Sequence, residues 1–345
     1  MTYKILPNQI PENFTLHGIF PDLTRMPADV AASVSEAVSG LSKCPAGGRL
    51  RFKTDSAKII FEADFVEENV NCAADILCDG VFAGQIGPFG YDFAPDHISG
   101  EAELPSDGEL HNIVIFLPRT IQLKEVRVTL DDGARVLPAE DYKTKLPIVY
   151  YGSSITMGAM ATSPSRAYTA LVSERLGADH INLGFGGSAK GEVEMANYIA
   201  SLEMSAFVLD YEHNAPTLDH LRQTHKPFFD IIRKAHPELP ILMISRPDTD
   251  GDFLRVCRGR QIIMDTFHTA LDDGDKLVDY VDGFYLWGND GRENCCREDG
   301  CHPNDEGFKR MADVIAPRLE KLMNRVGTVA VTEEDGFSDR FLKRL

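Results

Sequence analysis

The stretch IVYYGSSIT, residues 148–156, decides the fold of the larger part of the chain. Its apolar and aromatic start is followed at once by a glycine and two serines, the pattern of a short buried strand that ends in a tight turn. A strand this apolar predicts that both of its faces are covered, as in a parallel sheet between helices. The small polar residues then lie beyond the carboxyl end of the strand, where ligands bind in open parallel sheets.

Strand-like and helix-like segments alternate on the C-terminal side of this stretch. The further predicted strands are residues 180–183, 206–209, 241–245 and 281–286, and the predicted helices are residues 166–176, 193–202, 218–235, 253–271 and 306–325. This alternation is typical of a doubly wound parallel sheet. We therefore expect residues 145–326 to form a three-layer α/β/α domain of flavodoxin-like arrangement with about five parallel strands.

The residues before this stretch have a different pattern. Short β-rich runs, several of them beside an Asp-Gly pair that favours a turn, occur at residues 50–52, 57–61, 74–77, 112–116 and 125–130. Only the segment at 30–41 has a helical pattern. Short strands at this spacing predict a β-sandwich, here of jelly-roll type, over residues 1–144. Residues 137–147 then form the linker, and residues 327–345 are a C-terminal tail with no assigned structure.

Composition restricts the partners of the protein. A length of 345 residues favours two domains. The formal net charge of −18 argues against nucleic acid and anionic membranes as partners, because both require a basic surface. No apolar run has the length of a signal peptide or a membrane helix, which predicts a cytoplasmic protein. An appended sandwich often forms a dimer surface, so a homo-oligomer remains open.

Residues that can perform chemistry follow the predicted strands. Ser154 comes after the first strand, and Asp299 and His302 stand just before the last helix. A serine hydroxyl attacks well only when a base takes its proton. His302 can be that base, and Asp299 three residues earlier can orient and support its imidazole. Alternatively, Ser154 is only a helix N-cap and Asp299 and His302 are turn residues, but their joint occurrence favours catalysis.

Together these segments resemble the sequence blocks of the SGNH (GDSL-like) hydrolases over residues 148–325. Residues 152–156 resemble the first block, whose serine is the nucleophile, and residues 182–187 resemble the second block. Asn214 stands where the third block has its asparagine, and Asp299-x-x-His302 matches the fifth. The similarity is greatest to the subgroup that carries an N-terminal β-sandwich and includes carbohydrate acetyl esterases.

The resemblance implies a Ser-His-Asp triad of Ser154, His302 and Asp299. It also implies an oxyanion hole made of the backbone N–H groups of Ser154 and Gly187 and the side-chain amide of Asn214. The expected reaction is hydrolysis of short-chain esters, first of all O-acetyl groups on carbohydrates, through an acyl-Ser154 intermediate and without metal or organic cofactor. A short-chain lipid or aryl esterase and a non-catalytic sugar-binding homologue are the alternatives.

Two positions depart from the family pattern. Ser153 stands where the first block usually has aspartate, which bears on the fine geometry around the nucleophile. The third block usually reads Gly-x-Asn-Asp, but here Glu212, His213 and Ala215 surround Asn214. The assignment of Asn214 therefore rests on its place in the chain.

Two aromatic side chains are candidate substrate contacts. His213 either touches the substrate or only holds the local turn. Trp287, the only tryptophan, follows the last predicted strand and is therefore expected at the same edge of the sheet. It is either a platform for a sugar ring or a packing residue.

The cysteines near His302 allow two interpretations. Cys295, Cys296 and Cys301 could hold zinc together with His302, since thiolate and imidazole are its ligands. Their spacing lacks a C-x2-C pair and a second cluster, which favours free thiols and no bound metal.

Overall fold

The structure of the protein is a computed structural model that describes residues 1–67, 69–70, 73–88, 93–94, 96–247 and 252–326. The predicted tail at 327–345 lies outside the described residues, as does Cys72. Within the described part, an antiparallel N-terminal half precedes a C-terminal half built on a parallel sheet. The change in sequence pattern before residue 148 therefore corresponds to a change in strand direction.

The N-terminal half forms two main antiparallel sheets. Its strands are β1 (Thr2–Ile5), β2 (Thr15–His17), β3 (Arg49–Thr54), β4 (Lys58–Phe65), β5 (Asn69–Val70), β6 (Ala74–Cys78), β7 (Val81–Ile86), β8 (Phe93–Ala94), β9 (His97–Glu103), β10 (His111–Phe116), β11 (Leu123–Leu130) and β12 (Val136–Leu137). One sheet has the order β1-β11-β4-β9 and the other β12-β3-β10-β6-β7, with β2 beside β3. A further short pair joins β5 to β8.

One apolar core lies between these two sheets. Along β4, every second residue is buried, as expected for a strand with one inner face. Phe61 and Val128 of the first sheet share this core with Phe52 and Ile115 of the second. The predicted β-sandwich is therefore confirmed.

The C-terminal half contains a five-stranded parallel sheet. Its strands are β13 (Ile148–Gly152), β14 (His180–Gly184), β15 (Ala206–Asp210), β16 (Ile241–Ile244) and β17 (Val278–Val281). The order is β14-β13-β15-β16-β17, and every neighbouring pair is parallel. All five strands therefore end at one edge of the sheet.

Helices cover both faces of this sheet. The α-helices of the chain are α1 (Ala28–Val34), α2 (Glu36–Leu41), α3 (Ser154–Met157), α4 (Tyr168–Leu176), α5 (Val193–Ala200), α6 (Leu218–Ala235), α7 (Phe253–Asp272) and α8 (Asp305–Met323). One face packs on α5, α6 and α7 and the other on α4 and α8, which confirms the three layers. Alternate residues of β13 enter the two cores, Val149 on one side and Ile148 on the other. Across the described ranges, no helix combines the length and the apolarity needed to cross a membrane.

The segment that carries α1 and α2 packs on the parallel sheet, although the sequence places it within the sandwich range. Met26, Ala31 and Val38 are fully buried in the same core as α5 and α6. The two halves of the chain are therefore joined by packing as well as by the linker. The division at residue 144 remains a prediction.

The last strand differs from its prediction. Residues 281–286 were expected to form it, but β17 is Val278–Val281 and Gly283–Tyr285 is a 3-10 turn. The side chain of Asp282 accepts the backbone N–H of Phe284 and so starts the turn. An added Cβ at Gly283 would lie 2.0 Å from the carbonyl oxygen of Arg246, so the chain there is pressed against the end of β16. The apolar run after this point belongs to the loop.

Candidate active site

Four segments meet at the carboxyl edge of the parallel sheet. Ser154 follows β13, the turn at residues 186–188 follows β14, Asn214 follows β15, and the loop at residues 299–302 precedes α8. These are the segments that the sequence predicts at this edge. The structure joins Ser154 to this last loop in one hydrogen-bonded chain.

Ser154 lies in the first turn of α3, directly after β13. The last residue of the strand, Gly152, must be glycine, because an added Cβ there would lie 2.1 Å from the carbonyl oxygen of Asp210 on the neighbouring strand β15. Ser153 is the N-cap of α3, and its Oγ accepts a backbone N–H of the first turn at 3.1 Å. A capping side chain thus replaces the usual aspartate. Ser154, and not Ser153, is the serine that contacts His302.

The imidazole of His302 links Ser154 to Asp299. Its Nε2 lies 2.8 Å from Oγ of Ser154, and its Nδ1 lies 2.6 Å from Oδ2 of Asp299. Because an ionised carboxylate only accepts hydrogen bonds, Nδ1 donates to Asp299 and Nε2 is left to accept from the hydroxyl of Ser154. This is the tautomer that a general base requires.

The carboxylate of Asp299 is held by its own turn. Its Oδ1 accepts the backbone N–H groups of Cys301 and His302, each at 2.9 Å. Gly300 between them has a φ of 68°, a conformation that favours glycine. Partial burial acts to raise the pKa of the Asp299 carboxyl, but the hydrogen bonds from Cys301 and His302 outweigh it, and the pKa is lowered. Asp299 is therefore ionised at neutral pH and can support a positively charged imidazole.

Three hydrogen-bond donors near Ser154 are available to a ligand. In the described part of the chain, the backbone N–H groups of Ser154 and Gly187 donate to no protein acceptor. Gly187 has a φ of 70°, and an added Cβ there would meet open space. Nδ2 of Asn214 donates to the carbonyl of Phe185 at 2.9 Å, which leaves the second N–H of this amide.

Gly186 is a site residue to which the sequence assigned no specific role. An added Cβ at Gly186 would lie 3.3 Å from the Cβ of Ser154, so a larger residue would crowd the nucleophile. Its glycine neighbour Gly187 is required instead for its positive φ. The Gly-Gly pair in the sequence was the available signal, because two different backbone requirements fall on consecutive residues.

A buried carboxyl that contacts α3, the helix of Ser154, was also not predicted from the sequence. Asp210, the last residue of β15, accepts the hydroxyl of Tyr168 at 2.8 Å and that of Thr156 at 2.9 Å. Complete burial raises the pKa of the Asp210 carboxyl to about 7, although both hydroxyls act to lower it. Since Thr156 belongs to α3, this network fixes the helix that carries the serine. A polar residue that ends an apolar strand was the only sequence signal.

The unusual residues of the third block have structural contacts of their own. Glu212 is buried, and its carboxylate accepts the backbone N–H of Arg246 at 2.8 Å. It packs against Gly259 of α7, where an added Cβ would lie 2.2 Å from the carboxylate. His213 lies beside the active-site loop, with Nδ1 3.8 Å from Sγ of Cys301. Glu212 therefore supports the loop that follows β16, while His213 lies close enough to the loop of Asp299 and His302 to contact a substrate.

The expectation of Trp287 as a sugar platform is wrong. Its side chain is only 1% exposed and belongs to the core between the sheet, α4 and α8. The guanidinium of Arg292 lies 5.1 Å from the ring centroid, and Arg310 donates to the Trp287 carbonyl at 2.8 Å. The tryptophan reaches the core because the chain turns inward after β17 instead of continuing as a strand.

The cysteines near the site do not form a ready-made metal cluster. Cys295 Sγ donates to the Gly291 carbonyl, Cys296 Sγ to the His302 carbonyl, and Cys301 Sγ contacts His213. Among the described residues, three or more potential ligands converge only at Cys78, Asp79 and His111 in the sandwich. The six described cysteines are free thiols.

A cleft with a mixed polar and apolar lining lies beside Asp299. It has a volume of about 500 Å³ and is lined by Met160, Cys296, Arg297, Glu298, Asp299 and Asn304. Met160, in the loop after α3, has a φ of 75°, which is uncommon for a residue other than glycine. The volume is that of a small-molecule site. Its lining combines the charged side chains of Arg297, Glu298 and Asp299 with the apolar side chain of Met160.

A parallel three-layer sheet with these residues after its strands has the architecture of the GDSL-like hydrolases. The sequence profile of the GDSL-like Lipase/Acylhydrolase family matches residues 145–320. The chain therefore belongs to this family of ester hydrolases. No curated protein matches the chain.

Several solved structures share the whole two-part architecture. A GDSL-like lipase from Bacteroides ovatus is 25% identical, with a TM-score of 0.81 over 94% of this chain and 98% of that one. A salicylyl-acyltransferase from a tetracycline biosynthetic pathway is 23% identical, with a TM-score of 0.74 over 96% and 99%. A family two carbohydrate esterase from Clostridium thermocellum, solved with cellohexaose, is 15% identical, with a TM-score of 0.60 over 81% and 93%. The similarity to the last two of these structures shows a shared fold only.

Proposed function

We propose that the protein is a serine esterase that removes short acyl groups, above all acetyl, from carbohydrate esters through an acyl-Ser154 intermediate. The observation that carries the proposal is the continuous hydrogen-bonded chain from Ser154 through His302 to Asp299, with heavy-atom distances of 2.8 and 2.6 Å. These are the distances over which a general base takes a proton.

In the first half of the reaction, the Oγ of Ser154 attacks the carbonyl carbon of the ester. The hydroxyl proton passes to Nε2 of His302, and the resulting imidazolium is stabilised by Asp299. The bond to the alcohol then breaks, and the alcohol leaves with the proton from His302. The acyl group remains as an ester on Ser154.

The negative oxygen that forms during the attack requires preorganised donors. The backbone N–H groups of Ser154 and Gly187 and the second N–H of Asn214 supply them, since none of these three is taken by a protein acceptor in the described ranges. Donors that are fixed before the reaction stabilise the transition state without reorganisation. The hole thus accounts for a large part of the expected rate.

In the second half, water replaces the alcohol. His302 removes a proton from the water as it attacks the acyl carbon, and returns that proton to Oγ of Ser154 as the acid leaves. The side chain of His302 is 23% exposed, so solvent reaches the base. These steps need only protein groups and water, and we expect EDTA to leave the activity intact.

The cleft beside Asp299 supports a carbohydrate as the alcohol part of the substrate. Its lining includes Arg297, Glu298 and Asn304, whose side chains suit hydroxyl groups. Neighbours in fold bear names that agree, among them the family two carbohydrate esterase already described and an acetyl xylan esterase from Butyrivibrio proteoclasticus. The neighbour named as a salicylyl-acyltransferase raises the question of the acyl acceptor, water or another hydroxyl, and release of free acid identifies water.

The experiment is a panel of acetylated oligosaccharides, p-nitrophenyl acyl esters and short-chain lipid esters, with released acid measured for each. We expect the highest kcat/KM on acetylated saccharides and a loss of all turnover in Ser154→Ala. A higher kcat/KM on aryl or lipid esters would replace the carbohydrate assignment. Binding of saccharides without any Ser154-dependent turnover would instead identify a non-catalytic sugar-binding protein.

A further inference from the structure

Arg25, which precedes α1, is a buried cation at the end of β14. Its side chain is 1% exposed, although the residue belongs to the N-terminal half of the chain. Nη1 donates to the carbonyl oxygen of Gly184 at 2.5 Å and to that of Asn182 at 3.3 Å. Nη2 donates to the carbonyl of Leu41 at 2.6 Å, which ties the same guanidinium to the end of α2. Arg25 therefore connects the N-terminal segment to the strand that leads into the site.

The guanidinium also packs on Phe185, the residue that follows Gly184. Its central carbon lies 4.5 Å from the ring centroid of Phe185, a cation–π contact in a water-excluded position. The Phe185 side chain is fully buried. One cation thus holds both the last carbonyl of β14 at Gly184 and the first side chain beyond it.

Phe185 is the anchor of the oxyanion turn. Its carbonyl oxygen accepts the amide of Asn214 at 2.9 Å, the N–H of Ser188 at 2.9 Å and the N–H of Ala189 at 3.1 Å. Gly187 lies inside the turn that these bonds close. Any displacement of Phe185 would therefore move two of the three proposed oxyanion donors, Gly187 and Asn214, together.

We propose that Arg25 is a positioning residue for the esterase reaction: by binding the Gly184 carbonyl and the Phe185 ring, it fixes the turn that carries Gly187 and the amide of Asn214. The inference rests on the proposed function and extends it, because it gives the N-terminal half a part in catalysis. Arg25 touches neither Ser154 nor His302. Its effect passes through the backbone.

An arginine suits this position for a physical reason. Its planar fork reaches carbonyl oxygens on two elements at once, which the single ammonium of lysine cannot do with the same geometry. Burial lowers the pKa of the Arg25 guanidinium to about 10, so the group remains charged at neutral pH. A buried charge is costly to leave unpaired. Separating the end of β14 from α2 would therefore remove hydrogen bonds of this buried guanidinium to the Gly184 or Leu41 carbonyl.

Arg49 provides a matched control at the opposite end of the same strand. It is also 1% exposed and also reaches from the N-terminal half to β14. It pairs with Asp179 and donates to the His180 carbonyl at 3.1 Å, where β14 begins. Both arginines reach β14 from the N-terminal half, Arg49 with a carboxylate partner and Arg25 with carbonyl oxygens, but only Arg25 lies at the end that leads into the oxyanion turn.

The first part of the test compares Arg25→Met, Arg25→Lys and Arg49→Met by steady-state kinetics with p-nitrophenyl acetate. Proteins are assayed well below their unfolding midpoints, with folding verified by circular dichroism. We expect Arg25→Met to lower kcat roughly 10–100-fold with KM within about twofold, because the donors act on the transition state. Arg25→Lys is expected to lose less, and to remain informative should Arg25→Met not fold. Arg49→Met should keep kcat within about twofold of wild type.

The second part measures hydrogen exchange of the peptide that covers residues 184–189, which does not depend on turnover. Faster exchange at the amides of Phe185, Ser188 and Ala189 is expected in the Arg25 variants and not in Arg49→Met. Unchanged exchange and unchanged kcat in the Arg25 variants would overturn the proposal, as would an equal loss of kcat in Arg49→Met. If Ser154→Ala kept wild-type turnover, the proposed function would fail, while the exchange comparison would still decide whether Arg25 fixes the turn.

Discussion

Neighbouring strands are antiparallel in the N-terminal half of the protein and parallel in the C-terminal half, and this difference decides where potentially reactive residues come together. In the parallel sheet all five strands end at one edge, so the residues after β13, β14 and β15 become neighbours in space. In the sandwich, adjacent strands run in opposite directions, so the residues after successive strands lie at opposite edges. At each edge of the sandwich, strand ends therefore alternate with strand starts, and fewer of the residues that follow strands lie side by side.

In this protein the relative direction of neighbouring strands, more than composition, separates a scaffold from a site. Both halves contain buried charged residues, among them Asp75 in the sandwich and Asp210 in the parallel sheet. Asp75 accepts the N–H of Ser165 at 2.8 Å and so contacts the other half of the chain. Asp210 instead contacts the helix of the nucleophile.

The largest expected effect is that of Ser154→Ala at the edge of the parallel sheet. Removing the nucleophile should lower kcat by roughly 10⁴–10⁶, because a serine, its base and the acid act as a unit. Ser188→Ala, at the same edge but without a role in the triad, is the matched control and should retain activity. A fluorophosphonate probe followed by peptide mapping should label Ser154. Labelling of Ser153 or Ser188 would contradict the assignment.

The next effect concerns Asn214, which separates the oxyanion donor from its neighbour. Asn214→Ala should lower kcat by roughly 10²–10³, about 3–4 kcal/mol, with little change in KM, because the negative charge exists only in the transition state. His213→Ala should act mainly on KM if the imidazole beside Cys301 touches only the bound substrate. Steady-state kinetics of the two variants decide the matter. Full kcat in Asn214→Ala together with a loss in His213→Ala would move the donor by one residue.

A smaller effect concerns pH and the buried carboxyl of Asp210. Its pKa in the folded protein is about 7, above the ordinary value near ~4 of an unfolded aspartate. The folded state then binds one more proton than the unfolded state between these values. Stability from this group is therefore complete at low pH and falls as pH rises to 7, by up to about 1.4 kcal/mol per pH unit.

Urea unfolding at pH 5, 6, 7 and 8 measures this slope. Asp210→Asn should flatten the pH dependence of the unfolding free energy relative to wild type, because the amide does not titrate. Val128→Ala in the sandwich core serves as the control: it should lower stability by a similar amount at every pH. Parallel curves for Asp210→Asn and wild type would refute a titrating Asp210.

The smallest effect is expected at Trp287, which is near the catalytic edge but buried. Trp287→Phe should reduce the unfolding free energy by about 1–2 kcal/mol through lost packing, and leave KM for acetylated saccharides unchanged. Calorimetry and steady-state kinetics on the same preparation test both statements. A clear rise in KM without loss of stability would restore the sugar platform and show that the edge extends further than the triad.

Sequence patterns predicted the parallel sheet and the proposed triad because both depend on short contiguous stretches of sequence. The apolar run of β13 and the residues after it are contiguous, and Asp299 and His302 are only three positions apart. The bounds of β17 were not predicted correctly, because the apolar residues 284–287 fit either a strand or an inward turn, and the same ambiguity left two roles open for Trp287. The choice was made by Asp282 and by the contact of Gly283 with the end of β16.

Other site residues had no local signal at all. Asp210 meets Thr156 across 54 positions, and Arg25 meets Gly184 across 159. Nothing in the neighbourhood of Arg25 distinguishes it from an exposed arginine in a loop. Its role depends on how α1 and α2 pack on the parallel sheet, a contact between segments that are far apart in the chain.

By itself, the sequence predicted the alternation of strands and helices after residue 148, the change from antiparallel to parallel sheet, and the residues that follow β13, β14 and β15. Periodicity and turn residues act over a few positions, so they report what a segment becomes and which residues it presents at its end. Only the tertiary structure decided which of those residues meet. It placed His302 against Ser154, buried Trp287, and brought Arg25 under the oxyanion turn. Such contacts depend on the packing of whole layers, because burial and close approach are properties of the assembled core and not of any single segment.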